Sequence, residues 1–101
     1  MIIALRTDQV EAELYLLDRT GTQTAHYRWL ADRQLANTLL KTVLEFLDTH
    51  HVTPAQLIGV AIYTGSGSFT GLRIGTTVAN TMAYQLGVPV AAVEGDDWLE
   101  R

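Results

Sequence analysis

The sequence predicts an α/β domain built on a mixed five-stranded sheet, and three observations predict it. The first thirty residues or so alternate apolar and polar positions with the period of two that strands require. Two later stretches repeat apolar residues every three or four positions, as helices do. Each of those stretches leads into a short apolar run, the arrangement expected where a helix crosses over to a parallel strand.

Met1 to Thr7 is the first apolar run, and Val10 to Leu17 sets Val10, Ala12, Leu14 and Leu16 against Glu11, Glu13 and Tyr15. "DRTG" at 18–21 reads as a turn into a third strand, Thr22 to Trp29, rich in threonine and aromatics. Leu35, Leu39, Leu40, Val43, Phe46 and Leu47 then mark a helix from about Asp32 to Thr49. Thr53 as N-cap, Pro54 at the first helical position and Gln56 three residues after the cap predict a short helical turn. Leu57 to Tyr63 suits a strand covered on both faces. A second helix over 71–86 is closed by Gly87 with Pro89 just beyond, and Val88 to Val93 makes the fifth strand. Right-handed crossovers place the fourth and fifth strands parallel to the first, so the sheet order is 3-2-1-4-5. This βββαβαβ layout is ribonuclease H-like.

Composition limits what such a chain can do. At 101 residues, 48% hydrophobic and 18% charged, it is one globular unit with no repeat or linker. No apolar run approaches the roughly 18 residues of a membrane span, and Met1 to Arg6 lacks a signal-peptide core, so a cytoplasmic location is expected. The absence of cysteine excludes thiol chemistry and Cys-ligated zinc. The net charge of −4 is concentrated in "EGDDWLER" at the end, and Lys41 and six scattered arginines are the only strong cations of the chain. Tight direct binding of nucleic acid is therefore not expected.

"YTGSGSFTGLRIG", residues 63–75, sits between the fourth strand and the second helix. It holds no lysine, which excludes a Walker A loop, and Thr70 stands where the dinucleotide fingerprint needs its third glycine. Two readings remain. One is an anion nest at a helix N-terminus, made by Gly65, Gly67, Ser68 and Thr70 with Ser66 and Arg73 close by. The other is close packing, because Gly71, Gly75, Ala79 and Ala83 recur every four residues and leave one helix face almost bare.

"GSGSFTGLRIG", with "LGVPV" after the following helix, resembles the signature G-P-G-S-F-T-G-x-R-x-G of the TsaB/YeaZ family, with Ser66 in place of the proline. The resemblance implies one subdomain of the actin/Hsp70/sugar-kinase superfamily fold. It further implies a non-catalytic part in making threonylcarbamoyladenosine in tRNA, as partner of a TsaD-like transferase alongside a TsaE-like ATPase, with no cofactor. Family members run to about twice this length, so residues 1–101 would be the amino-terminal subdomain alone, the second being absent. Partners would dock on the helices, with Leu39, Val43, Leu47, Gly71, Gly75, Ala79 and Ala83 as interface residues, and the chain alone would form a homodimer through the same surface.

The chain departs from the family pattern at its first strand, where "IIALRTD" puts Arg6 in place of the acid in "ILAIDTS". Asp8, two residues on, is expected to be a solvated carboxylate or the partner of Arg6 or Arg73. Arg6 and Tyr63 stand where a two-metal nuclease needs carboxylates, which argues against that chemistry. A different class of function remains as the alternative: the nucleotide- or phosphate-binding half of an ATPase or kinase that completes its cleft by dimerising. His50 and His51 read as the end of the first helix, His26 stands alone on a strand, and no catalytic or metal-ligating set emerges. Trp98 is either a lid over the sheet edge or a partner contact.

Overall fold

The computed structural model describes residues 1–31, 34–65, 67 and 69–94. The strands β1 (Ile2–Arg6), β2 (Glu11–Leu17) and β3 (Gln23–Leu30) form an antiparallel meander, followed by α1 (Leu35–Thr49). A single 3-10 turn, Pro54–Gln56, leads to β4 (Gly59–Tyr63), then α2 (Phe69–Leu86) and β5 (Val90–Val93). The sheet order is β3-β2-β1-β4-β5, with β4 parallel to both β1 and β5, as the sequence predicts.

Both helices lie on one face of the sheet. Ile3 and Leu5 of β1, Leu14 and Leu16 of β2, and Val60 and Ile62 of β4 point into one cluster with Leu39, Val43 and Leu47 of α1 and Ala79, Met82 and Ala83 of α2. The opposite face carries a smaller cluster, Ala4, Leu17 and Tyr63. With β1 at the centre, the carboxyl ends of β1 and β4 lie side by side, and the loop into α2 starts there. In open α/β sheets this is where functional groups collect.

Local chemistry explains where the elements begin and end. The Thr53 N–H donates to Gln56 Oε1 at 2.7 Å, the return arm of the predicted capping box. The Leu57 N–H closes that turn on the Pro54 carbonyl, so the strand begins at Gly59, later than the apolar run suggested. Likewise the Val88 N–H still caps α2 by bonding to the Ala83 carbonyl, with Gly87 at φ +67°, and β5 waits until Val90. The second helix begins at Phe69, two residues before the predicted start, because first-turn N–H groups need no intrahelical partner and loop residues can join there. Asp18 accepts hydrogen bonds from Thr20 and Thr22, which fixes the "DRTG" turn and lowers its pKa.

Candidate functional site

At the carboxyl end of β1, Arg6 turns back over Asp8. Its Nε donates to Asp8 Oδ1 at 2.8 Å and its Nη2 to Oδ2 at 3.3 Å, while the guanidinium carbon lies 4.1 Å from the centroid of the Tyr63 ring. The expectation of a solvated Asp8 is corrected: the residue is 4% exposed, because the Gly67 backbone closes over it and Arg6 neutralises it. The bond to Asp8 raises the Arg6 pKa further, against the opposing effect of its partial burial. The position where the family pattern has an acid thus carries a cation already paired within the chain.

The glycines of 63–75 are explained by what they touch. A Cβ on Gly65 would lie 2.6 Å from Tyr63 Cζ, and one on Gly67, at φ +146°, would lie 2.5 Å from Asp8 Cβ and 2.9 Å from the Asp8 carbonyl. One on Gly75 would overlap Thr7 Oγ1 and stand 3.0 Å from Ile62 Cδ1. Thr7, buried, donates from Oγ1 to the Gly71 carbonyl at 2.7 Å. Nothing in the sequence pattern pointed to Thr7, yet it ties β1 to the first turn of α2. Glycine here lets the loop and helix lie against β1 and β4.

Of the residues read as an anion nest, Gly65 and Gly67 are so packed, Thr70 is exposed in the first turn of α2, and Ser68 lies outside the described residues. Arg73 is exposed and makes no ion pair among the described residues, so the internal bridge considered for it is not formed there. His50 does end α1, and His51 follows at φ 58°. No group of three or more His, Asp or Glu side chains among the described residues is placed to hold a metal ion. Trp98 lies outside the described residues.

The seven residues expected at a partner interface need correction. Leu39, Val43, Leu47, Gly71, Gly75, Ala79 and Ala83 are all buried inside this chain, because the small-residue stripe of α2 turns toward β1 and β4. What the helices present outward is a different set. Phe69 is 74% exposed, Leu40 49% and Leu44 46%, and a cavity of about 350 Å³ lies between α1 and α2, bounded by Ala36, Phe69, Arg73 and Thr77 with Ile74 and Val78 behind. Ala36, Leu40 and Leu44 fall four residues apart on α1 and so share one flank. Phe69, Arg73, Thr77 and the exposed Tyr84 share the outer arc of α2.

The face of the sheet away from the helices carries a polar cluster. Tyr15 donates its hydroxyl to Glu13 and stacks on His26 at 4.6 Å, and His26 Nε2 lies 3.7 Å from the same carboxylate. Burial first, then the bond to Glu13, pushes the Tyr15 pKa up to about 12 from an ordinary 10.0. The folded chain holds that proton more tightly than the unfolded one. Stability from Tyr15 is therefore complete below pH 10 and lost as pH rises toward 12. Denaturant unfolding between pH 9 and 11 should show a decline of no more than about 1 kcal/mol after allowance for solvent screening, which Tyr15→Phe removes.

The family described as TsaD, tRNA N6-adenosine threonylcarbamoyltransferase, matches residues 29–98, from the last strand of the meander through α1, the glycine loop and α2. The chain belongs to that family, as a TsaB/YeaZ-type member. The tRNA threonylcarbamoyladenosine biosynthesis protein TsaB of Bacillus subtilis (strain 168) is 32% identical over 92 residues, covering 91% of this chain and 40% of that protein. The solved structure of YeaZ from Pseudomonas aeruginosa superposes with a TM-score of 0.82 at 31% identity, over 92% of this chain and 43% of that one. RuvC of T. thermophilus, with a TM-score of 0.64 at 13% identity, shares the fold alone, which confirms the ribonuclease H-like layout. The chain spans about two fifths of the length of the TsaB relatives it matches. No helix among the described residues is long and apolar enough to cross a membrane.

Proposed function

We propose that this chain is a non-catalytic partner protein in tRNA threonylcarbamoyladenosine biosynthesis. It docks a TsaD-type transferase through the outer flanks of α1 and α2, with a TsaE-type ATPase as a further component and a homodimer as its state alone. The observation that carries the reading is the exposed apolar flank itself. Phe69 lines an open cavity between the two helices and Leu40 and Leu44 are exposed along α1, and their burial against another helix pair would remove apolar surface from water at about 25 cal/mol per Å². Arg6 supports the non-catalytic part, since metal-assisted phosphate chemistry at the end of β1 would need a carboxylate there to hold the metal and meets a cation bound to Asp8. The relatives named TsaB supply the pathway.

Light scattering gives the mass of the chain alone and mixed with the TsaD-like protein of the same organism. The expected result is a dimer that exchanges into a mixed complex, and Leu40→Asp with Leu44→Asp should abolish both species while leaving the circular dichroism of the fold intact, since both side chains are about half exposed. A chain that stays unmixed at micromolar concentration overturns the partner assignment. A thermal shift with ATP and magnesium would instead favour the phosphate-binding half of an ATPase or kinase.

A further inference from the structure

On the other side of α1, away from α2, the helix leaves a second cleft against the edge strand β3. It measures about 330 Å³ and is lined by Tyr27, Thr42, Glu45, Phe46, Thr49 and His50. Phe46 forms the floor. Its ring meets His50 edge-on at 4.9 Å and Tyr27 at a tilt at 6.3 Å, and Tyr27 in turn stacks on Trp29 at 5.9 Å. Tyr27 and His50 are exposed, so ring surface is open to the cleft.

Two features of this cleft share one sign. Among the described residues Glu45 is the only carboxylate in its wall, and it makes no ion pair with any of them. The cleft lies at the C-terminal end of α1, where the helix dipole is negative, and no lysine or arginine stands in the last turn to offset it, the imidazole of His50 being the one basic group among the described residues at that end of the cleft. Aromatic faces attract cations as well, through the ring quadrupole. Lys41, one turn before Glu45, is the nearest cation along the helix and is not ion-paired with it.

We propose that this cleft is a binding site for the guanidinium of an arginine side chain presented by a partner protein. Guanidinium fits better than ammonium because it is flat, stacks on rings and can offer parallel N–H donors to the Glu45 carboxylate. The site lies on a different flank of α1 from the Leu40 and Leu44 surface, so the two can be tested apart.

The test uses Nα-acetyl-arginine amide as probe and Nα-acetyl-citrulline amide as its neutral isostere, titrated into the isotope-labelled chain at fixed ionic strength while the Tyr27 and His50 ring resonances are followed. The arginine probe should move both resonances saturably and the citrulline probe should not. Glu45→Gln should weaken binding about fivefold, the measure of one charge-assisted contact at a partly exposed site. Tyr27→Phe should preserve binding, Tyr27→Leu should weaken it, and Lys41→Ala should leave it unchanged or tighter. Equal responses to the two probes, binding untouched by Glu45→Gln, or no saturable response up to about 50 mM, where even a millimolar site would be filled, overturns the assignment. Mixed-complex formation measured by light scattering with Leu40→Asp stays a separate readout, so the failure of one reading does not touch the other.

Discussion

Gly75→Ala is expected to destabilise the chain by about 1–3 kcal/mol, against the sign that helix propensity alone would give. In an open helix interior, alanine is favoured over glycine by up to about 1 kcal/mol. At Gly75 the new methyl would overlap Thr7 Oγ1 and press on Ile62 Cδ1 at 3.0 Å and Thr7 Cβ at 3.1 Å. Thr7 cannot rotate away freely, because its Oγ1 is committed to the Gly71 carbonyl at 2.7 Å in a buried position. Accommodating the methyl therefore means breaking that bond or lifting α2 from β1. Either change also loosens the loop that closes on Asp8. The check is chemical denaturation of Gly75→Ala, Thr7→Ala and the double variant. The double variant should be more stable than the sum of the single effects by at least about 1 kcal/mol, since Thr7→Ala removes the atom that the new methyl strikes. Strictly additive effects would show that the overlap is relieved elsewhere.

The same contact shows how far the sequence could be read. Strand and helix order, the sheet topology and the capping box followed from periodicity and cap chemistry, which are local properties. The glycine and alanine stripe of α2 was also legible as a close-packing face, but its direction was not. A helix pattern reports which residues share a face, and whether that face meets a sheet of the same chain or another protein depends on where the sheet lies. Gly75 faces Thr7, a pairing across more than sixty positions of sequence that no period could reveal. The wide apolar arc of α1 was ambiguous for the same reason. Its Leu39, Val43 and Leu47 went to the core, and its flank, Leu40 and Leu44, remained half exposed. Asp8 was misplaced because a carboxylate at a strand end is ordinarily solvated, and only the approach of Gly67 makes this one buried.

Arg6→Met should be at least as damaging, with a loss of about 3 kcal/mol, because it leaves the Asp8 carboxylate buried without its cation. The side chain of Arg6 is 16% exposed and that of Asp8 2%, so solvent can reach the cation but does little for the acid. That asymmetry separates the two halves of the pair. Asp8→Asn keeps a hydrogen-bond acceptor for Arg6 and frees a cation that has some access to water, so its cost should be smaller. The double variant, Arg6→Met with Asp8→Asn, should recover at least half of what Arg6→Met loses, because the unpaired buried charge is the main penalty and it is then gone. If instead Asp8→Asn costs almost nothing and the double variant recovers none of the Arg6→Met loss, the stabilising contact is the stacking of Arg6 on Tyr63, 4.1 Å away, and not the ion pair. In both cases the end of β1 is occupied by the chain's own charges. A ligand phosphate arriving there would have to displace Asp8 from Arg6, and would leave behind a buried carboxylate beside a second anion. That cost argues against the end of β1 as a phosphate site and is consistent with the proposal that the chain works through its helix flanks.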